Sequence, residues 1–203
     1  MMNSKHVILV TGTWGEKSEN EWHQNTEWVD ALALNGIKQL DRDIPFLWSS
    51  NLDGLFGENY DWIAAGAALK DYREARQRRW GLLKPLNIIT HSHGMNVVAY
   101  AMGKFGLEID TLITVAGPRR DKMVDQYVMM RELCKCWVHV HSDRKDIWQT
   151  IGSLRWLRPW PTSQKMTEAH ANRYIPRVSH TGLMNFYCLK DVGVIQTIKK
   201  GKL

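Results

Sequence analysis

A chain of 203 residues, 44% of them hydrophobic, can bury one sizeable core and is short for two, so one domain spanning 1–203 is expected. Its formal charge of +6 is scattered over clusters at 73–79, 155–158 and 199–202 and forms no long basic arm, which argues against a nucleic-acid-binding tail. There is no apolar run of the ~18 residues a membrane span needs, no secretory signal at Met1-Met2-Asn3-Ser4-Lys5, and an odd set of three cysteines; a soluble, cytoplasmic protein without a disulfide framework is the expectation.

In chain order, residues 5–11 form a β-branched run ending at Gly12, the pattern of a buried strand with a turn at its carboxyl end. Asn25-Thr26 can cap a helix through Trp28, Leu32 and Leu34 that stops at Gly36. A second strand is predicted at 44–48, and a long helix from Asn59 or Asp61 through Ile63, Ala67 and Leu69 to Trp80. Strands follow at 86–90, 111–116 and 136–140, with a helix over 95–105 closed by Gly106. Irregular structure is expected at 13–24, 51–58 and 151–173, and a last helical pattern runs through Phe186 and Leu189. Strands alternating with helices imply an α/β fold with a mainly parallel central sheet and helices on both faces, its active site at the carboxyl ends of the strands. Ten tryptophans on a basic chain would suit a binder that stacks single-stranded bases, yet most fall inside apolar-periodic segments and read as core. No nucleic-acid partner is expected.

The strand at 86–90 and the helix that follows leave only His91 to Met95 between them, so the join must be abrupt. A serine at such a turn, Ser92 in Thr90-His91-Ser92-His93-Gly94, is held in a strained backbone with its hydroxyl above the sheet, and the amino end of the helix favours developing negative charge. Small residues two before and two after it keep strand and helix from clashing; Gly94 meets this need, and Thr90 is the larger residue on the other side. This segment resembles the nucleophile elbow of the α/β-hydrolase family, and Gly12-Thr13-Trp14-Gly15 resembles that family's oxyanion loop, with Thr11 where the family usually has histidine. The resemblance implies an α/β-hydrolase-like fold and two backbone amides for the oxyanion, from His93 and from Thr13 or Trp14.

A serine hydroxyl needs a histidine to take its proton and an acid to fix that histidine's tautomer, and the family order is Ser, acid, His. Two carboxylates follow the fifth strand, Asp143 and Asp146; Asp146, entering the apolar pair Ile147-Trp148, is favoured over Asp143. His180 lies where the family places its base. Its rival His170 reads as part of a helix surface or flexible segment.

Two metal readings are set aside. The pair His91-x-His93 resembles a zinc hydrolase motif, but Met95 and Asn96 stand where further ligands would be needed. Cys134, Cys136, His139 and His141, if on one strand, would place the cysteines on one face and the histidines on the other. No cofactor is called for. The short stretch from Asp146 to His180 leaves minimal or no room for a cap domain, and residues 154–161, with Trp156 and Trp160 flanked by Arg155 and Arg158, form either a small lid and weak interfacial patch or a plug on the sheet. Trp14 is the candidate lining of an acyl pocket. The expected function is a lipase- or esterase-like serine hydrolase acting on a small-molecule ester or acyl substrate through Ser92, His180 and Asp146. A catalytically silent binding module on the same fold and a basic, Trp-rich nucleic-acid binder are the alternatives.

Overall fold

A computed structural model describes residues 5–12, 26–40, 46–48, 54–80, 86–143 and 165–203. The run Val7-Ile8-Leu9-Val10 is fully buried in β1 (Lys5–Val10), as expected of a parallel strand covered on both faces. The chain then passes through α1 (Thr26–Leu34), β2 (Ile37–Gln39), α2 (Gly54–Trp80), β3 (Asn87–His91), α3 (Gly94–Gly103) and β4 (Ile109–Val115). It continues through α4 (Val124–Leu133), β5 (Cys134–His141), β6 (Ala171–Tyr174), α5 (Phe186–Asp191) and α6 (Val194–Lys200).

The six strands form one sheet in the order β2-β1-β3-β4-β5-β6, and every pairing is parallel. From β1 the chain moves outward to β2 and then returns to β3 on the other side of β1. The strand order therefore reverses between β1 and β3, and the crevice at their carboxyl ends is where open α/β sheets bind ligands. Alternate residues of each strand enter opposite apolar layers. Ile8, Val10, Ile88, Leu112 and Trp137 pack with Trp62, Leu69, Val98, Met102 and Tyr127 from α2, α3 and α4. Val7, Leu9, Ile89, Ile113 and Val138 pack with Trp28, Leu32, Phe186, Leu189 and Ile195 from α1, α5 and α6. Helices thus cover both faces, as the alternation of elements predicts. Trp28, Trp48, Trp62 and Trp137 are buried; Trp28 sets its ring edge-on to Phe186 at 5.3 Å while its indole N–H donates to the Met184 carbonyl at 2.7 Å. No helix among the described residues is long and apolar enough to cross a membrane.

Several expected elements move. The second strand lies at Ile37–Gln39, and the described part of the 44–48 run, residues 46–48, is irregular although Phe46 and Trp48 are buried. A three-residue edge strand needs pairing on one side only and so carries little apolar signal. α2 begins at Gly54, inside the stretch expected to be irregular. α4 has only Tyr127 and Met130 buried, and its polar composition hides it. Residues 171–174 form edge strand β6 where a helix surface or flexible segment was expected; the Asn172 side chain clasps Met166 by accepting from its N–H at 2.8 Å and donating to its carbonyl at 2.9 Å.

Candidate active site

Ser92 occupies the turn between β3 and α3 with φ of +53°, a left-handed conformation that L-residues other than glycine rarely hold. Its N–H donates to the Val115 carbonyl at 2.9 Å, carrying the β3–β4 ladder one step further, and its carbonyl accepts from the Met95 N–H at 3.1 Å at the entry of α3. These two bonds, pulling in opposite directions along the chain, hold the sharp bend. A Cβ on Gly94 would sit 2.4 Å from the Thr11 carbonyl oxygen and 2.5 Å from Thr90 Oγ1, so only glycine lets α3 start this close to the sheet. Thr90, fully buried, takes the space a glycine would leave open.

The ends of β1 and β3 meet at Gly12. A Cβ there would lie 2.9 Å from Ser92 Cβ and 3.3 Å from the His91 carbonyl oxygen. The glycine that opens the expected oxyanion loop therefore touches the expected nucleophile. Thr13 and Trp14, assigned to the oxyanion and to an acyl pocket, lie outside the described residues. His93 precedes the first turn of α3 in helical backbone conformation. Its Nε2 accepts from the Arg120 guanidinium at 3.2 Å and its ring lies 5.5 Å from that of Trp62.

His180 comes to the same place from the far end of the chain. Its backbone carbonyl lies 3.1 Å from His91 Nε2, and the two imidazoles stand 4.4 Å apart. A carbonyl can only accept, so His91 must carry its proton on Nε2. Burial holds the His91 pKa well below the usual histidine value, and the neighbouring His180 pushes it the same way against the opposing pull of the carbonyl bond. His91, considered from sequence only as a metal ligand, is thus a neutral link between the β3–α3 turn and the segment that carries His180.

Asp143 lies just past β5 and is exposed. Its Oδ1 accepts from the Arg177 N–H at 2.8 Å, which holds the carboxyl below its usual range, and the Tyr174 hydroxyl adds to the effect. Ser142 Oγ accepts from the Val178 N–H at 3.1 Å. Together they clamp the segment 174–178, in which Arg177 takes φ of +59°, just before His180. Asp143 therefore supports the segment that leads to His180. Asp146 lies outside the described residues, as do 154–161 with Trp156 and Trp160. The rival His170 is committed elsewhere: its Nδ1 accepts the Trp137 N–H at 3.0 Å and so continues the sheet edge.

In β5, His139 and His141 share a face with ring centroids 6.0 Å apart, and His139 Nδ1 lies 2.8 Å from Thr114 Oγ1. The cysteines do not share a face as expected. Cys136 packs toward α1, α5 and α6, whereas Cys134, at the junction where α4 ends and β5 begins, packs into the opposite layer. Among the described residues no three His, Cys, Asp or Glu side chains group as metal ligands would.

No family model matches the chain, and no curated protein matches it. In structure it is similar to Est1E from Butyrivibrio proteoclasticus, with a TM-score of 0.50 at 13% identity, over 97% of this chain and 86% of that one. At that identity the likeness concerns the fold, and the all-parallel sheet flanked by helices is α/β-hydrolase-like.

Proposed function

We propose that the protein is a serine hydrolase that cleaves a carboxylic ester through an acyl-enzyme on Ser92, with His180 as base and Asp146 as the acid that orients it. The observation that carries the reading is Ser92 itself, a non-glycine residue kept left-handed between a buried strand and a helix amino end, with Gly12 against its Cβ. What sets Ser92 apart from Ala116 and Arg177, which are also left-handed, is its place in a strand-to-helix turn, where such a backbone presents a hydroxyl above the sheet. The packing of the His180 ring, tilted at 54°, against that of His91, the residue before Ser92, also supports it. The structural neighbour Est1E is an esterase, which agrees with the reading at the level of fold.

In the proposed reaction His180 accepts the Ser92 Oγ proton as the oxygen attacks the ester carbonyl carbon. The carbonyl oxygen becomes an oxyanion held by the amides of His93 and Thr13. Collapse breaks the bond to the alcohol, which leaves with the proton from His180. Water, deprotonated by His180, then releases the acid and restores Ser92. Trp14 would line the acyl side.

A fluorophosphonate probe tests this directly. The wild-type chain is expected to be labelled and to hydrolyse p-nitrophenyl butyrate, and Ser92→Ala to do neither. A folded wild type that resists the probe would falsify the hydrolase reading and favour a silent binding module on this fold.

A further inference from the structure

The segment that carries His180 is anchored on either side of that residue. Before it, the N–H groups of Arg177 and Val178 donate to Asp143 Oδ1 at 2.8 Å and to Ser142 Oγ at 3.1 Å, just past β5. After it, the Trp28 indole of α1 donates to the Met184 carbonyl at 2.7 Å. Between these anchors the turn bonds to itself, the carbonyls of Ser179, Thr181 and Gly182 accepting from the N–H groups of Leu183, Met184 and Asn185. The His180 carbonyl turns elsewhere and accepts from His91 Nε2 at 3.1 Å.

His91 is a firm donor. It is the last residue of β3, in register with Val115 of β4, and is 6% exposed. A Cβ on Gly12 would lie 3.5 Å from its Nδ1, so that glycine backs the ring at one nitrogen while His180 meets it at the other. One peptide bond joins His91 to Ser92, whose N–H is held in turn by the Val115 carbonyl at 2.9 Å. The main chain of His180 is therefore located from the same strand end that presents the serine, through one planar ring and one hydrogen bond. We infer that His91 is a positioning residue: its Nε2–H, by holding the His180 carbonyl, sets the base in place relative to Ser92 for ester hydrolysis. The inference rests on the hydrolase reading above and goes beyond it, because His91 touches no reacting atom in that mechanism.

The donor must also be uncharged. When His180 accepts the Ser92 Oγ proton it becomes an imidazolium, and a cation on the ring 4.4 Å away would oppose that charge. A neutral imidazole supplies the N–H without the cation, and burial keeps His91 in that state. With phenylalanine at 91 the ring bulk stays but the carbonyl loses its donor, and the residues between the two flanking anchors can shift. Proton transfer depends steeply on the placement of the base and substrate capture does not, so the loss falls on kcat. Two amides separate the bond itself from mere polarity. The glutamine side-chain nitrogen reaches the place of Nε2, and the asparagine nitrogen only that of Nδ1.

The test compares full-length wild type, His91→Phe, His91→Gln, His91→Asn and Ser92→Ala. His91→Phe is expected to lower kcat for p-nitrophenyl butyrate about 10- to 100-fold with KM within about twofold. His91→Gln recovers kcat to within about fivefold of the wild type, while His91→Asn stays as slow as His91→Phe. Rates of fluorophosphonate labelling follow the same order. Wild-type kcat in His91→Phe overturns the inference. So does a loss confined to KM, a His91→Gln as slow as His91→Phe, or a His91→Asn that rescues as well as His91→Gln. If the variants are recovered unfolded, the wild type is read by 1H–15N NMR at neutral pH. His91 is expected to hold one proton, on Nε2, protected from exchange, and that signal to shift when an aryl trifluoromethyl ketone adds to Ser92 and leaves the Oγ proton on His180. A proton on Nδ1, or an Nε2–H signal that the adduct does not move, overturns the inference. A wild type without turnover, or a Ser92→Ala chain as active as the wild type, removes the hydrolase reading and this inference with it; an inert Ser92→Ala beside an unaffected His91→Phe removes this inference alone.

Discussion

At the scale of single residues the site is a set of close approaches that leave no room for ordinary side chains. Ser92 at φ of +53° carries a left-handed penalty that glycine would escape. Ser92→Gly is therefore expected to be more stable than Ser92→Ala by about 1 kcal/mol in urea unfolding, although both are inert; equal stability would mean the elbow stores no strain. Gly94→Ala forces a methyl group against the Thr11 carbonyl and Thr90 Oγ1, and should cost about 1–3 kcal/mol and abolish labelling. The two carboxylates separate in the same way. Asp143 already accepts from the Arg177 N–H, so Asp143→Asn should leave kcat within about tenfold, whereas Asp146→Asn should lower it by about 10³–10⁴-fold. The reverse order in the kinetics would exchange their roles. Ser92, Gly12 and Gly94 could be picked from the sequence because their spacing from a strand end and a helix start is local. The bonds from His91 to the His180 carbonyl and from Trp48 to the Thr11 carbonyl span 89 and 37 positions, and no local pattern marks them.

At the scale of elements, α3 is held from the side as well as from below. Tyr127 in α4 is buried, donates its hydroxyl to Asn96 Oδ1 at 3.1 Å, and accepts the Arg120 N–H at 3.2 Å. One phenol thus joins α3, α4 and the segment after β4 whose Arg120 reaches His93. Tyr127→Phe is expected to cost about 1–3 kcal/mol in thermal or urea unfolding, because it leaves Asn96 and the Arg120 amide with lost partners in a buried place. A cost near zero would mean water replaces the hydroxyl. The same helix shows why some elements escape a reading of sequence. β1, β3, β4 and β5 are covered on both faces and so read as apolar runs, which is how their order and parallel pairing could be foreseen. β2 and β6 lie at the two edges, with burial patterns that are partial or short, and α4 offers only two buried residues. Burial on one side leaves a weak periodicity, and three-dimensional pairing decides what the pattern cannot.

At the scale of the whole molecule, the buried titratable groups set the pH range of stability. Burial is the leading cause that lowers the pKa values of His91, His141 and His170 below the usual 6.5. The unfolded chain takes up those protons first as pH falls below about 6.5, so each group's share of stability is present above that value and is lost as pH descends toward its folded-state pKa. Asp143 and Glu168 also titrate below their ordinary values of 3.8 and 4.5, and add a further loss at more acid pH; Asp143, being exposed, adds little. On the alkaline side burial pushes the Cys134 thiol from 9.0 to about 12. Stability there is present below 9.0 and is lost as pH rises toward the folded value, because the unfolded thiol ionises first. The melting temperature should therefore be highest between about pH 7 and 9 and fall on both sides, each kcal/mol lost lowering it by about 2–4 °C. His91 should own the largest part of the upper acid limb, since it is the most deeply buried of the three histidines and lies against both His180 and His93. His91→Gln keeps an N–H for the His180 carbonyl but has no proton to gain, so its melting temperature should change little from pH 7 to 5.5 while that of the wild type falls. If the two curves run parallel across that interval, the acid limb belongs to His141 and His170 and not to the link beneath the active-site turn.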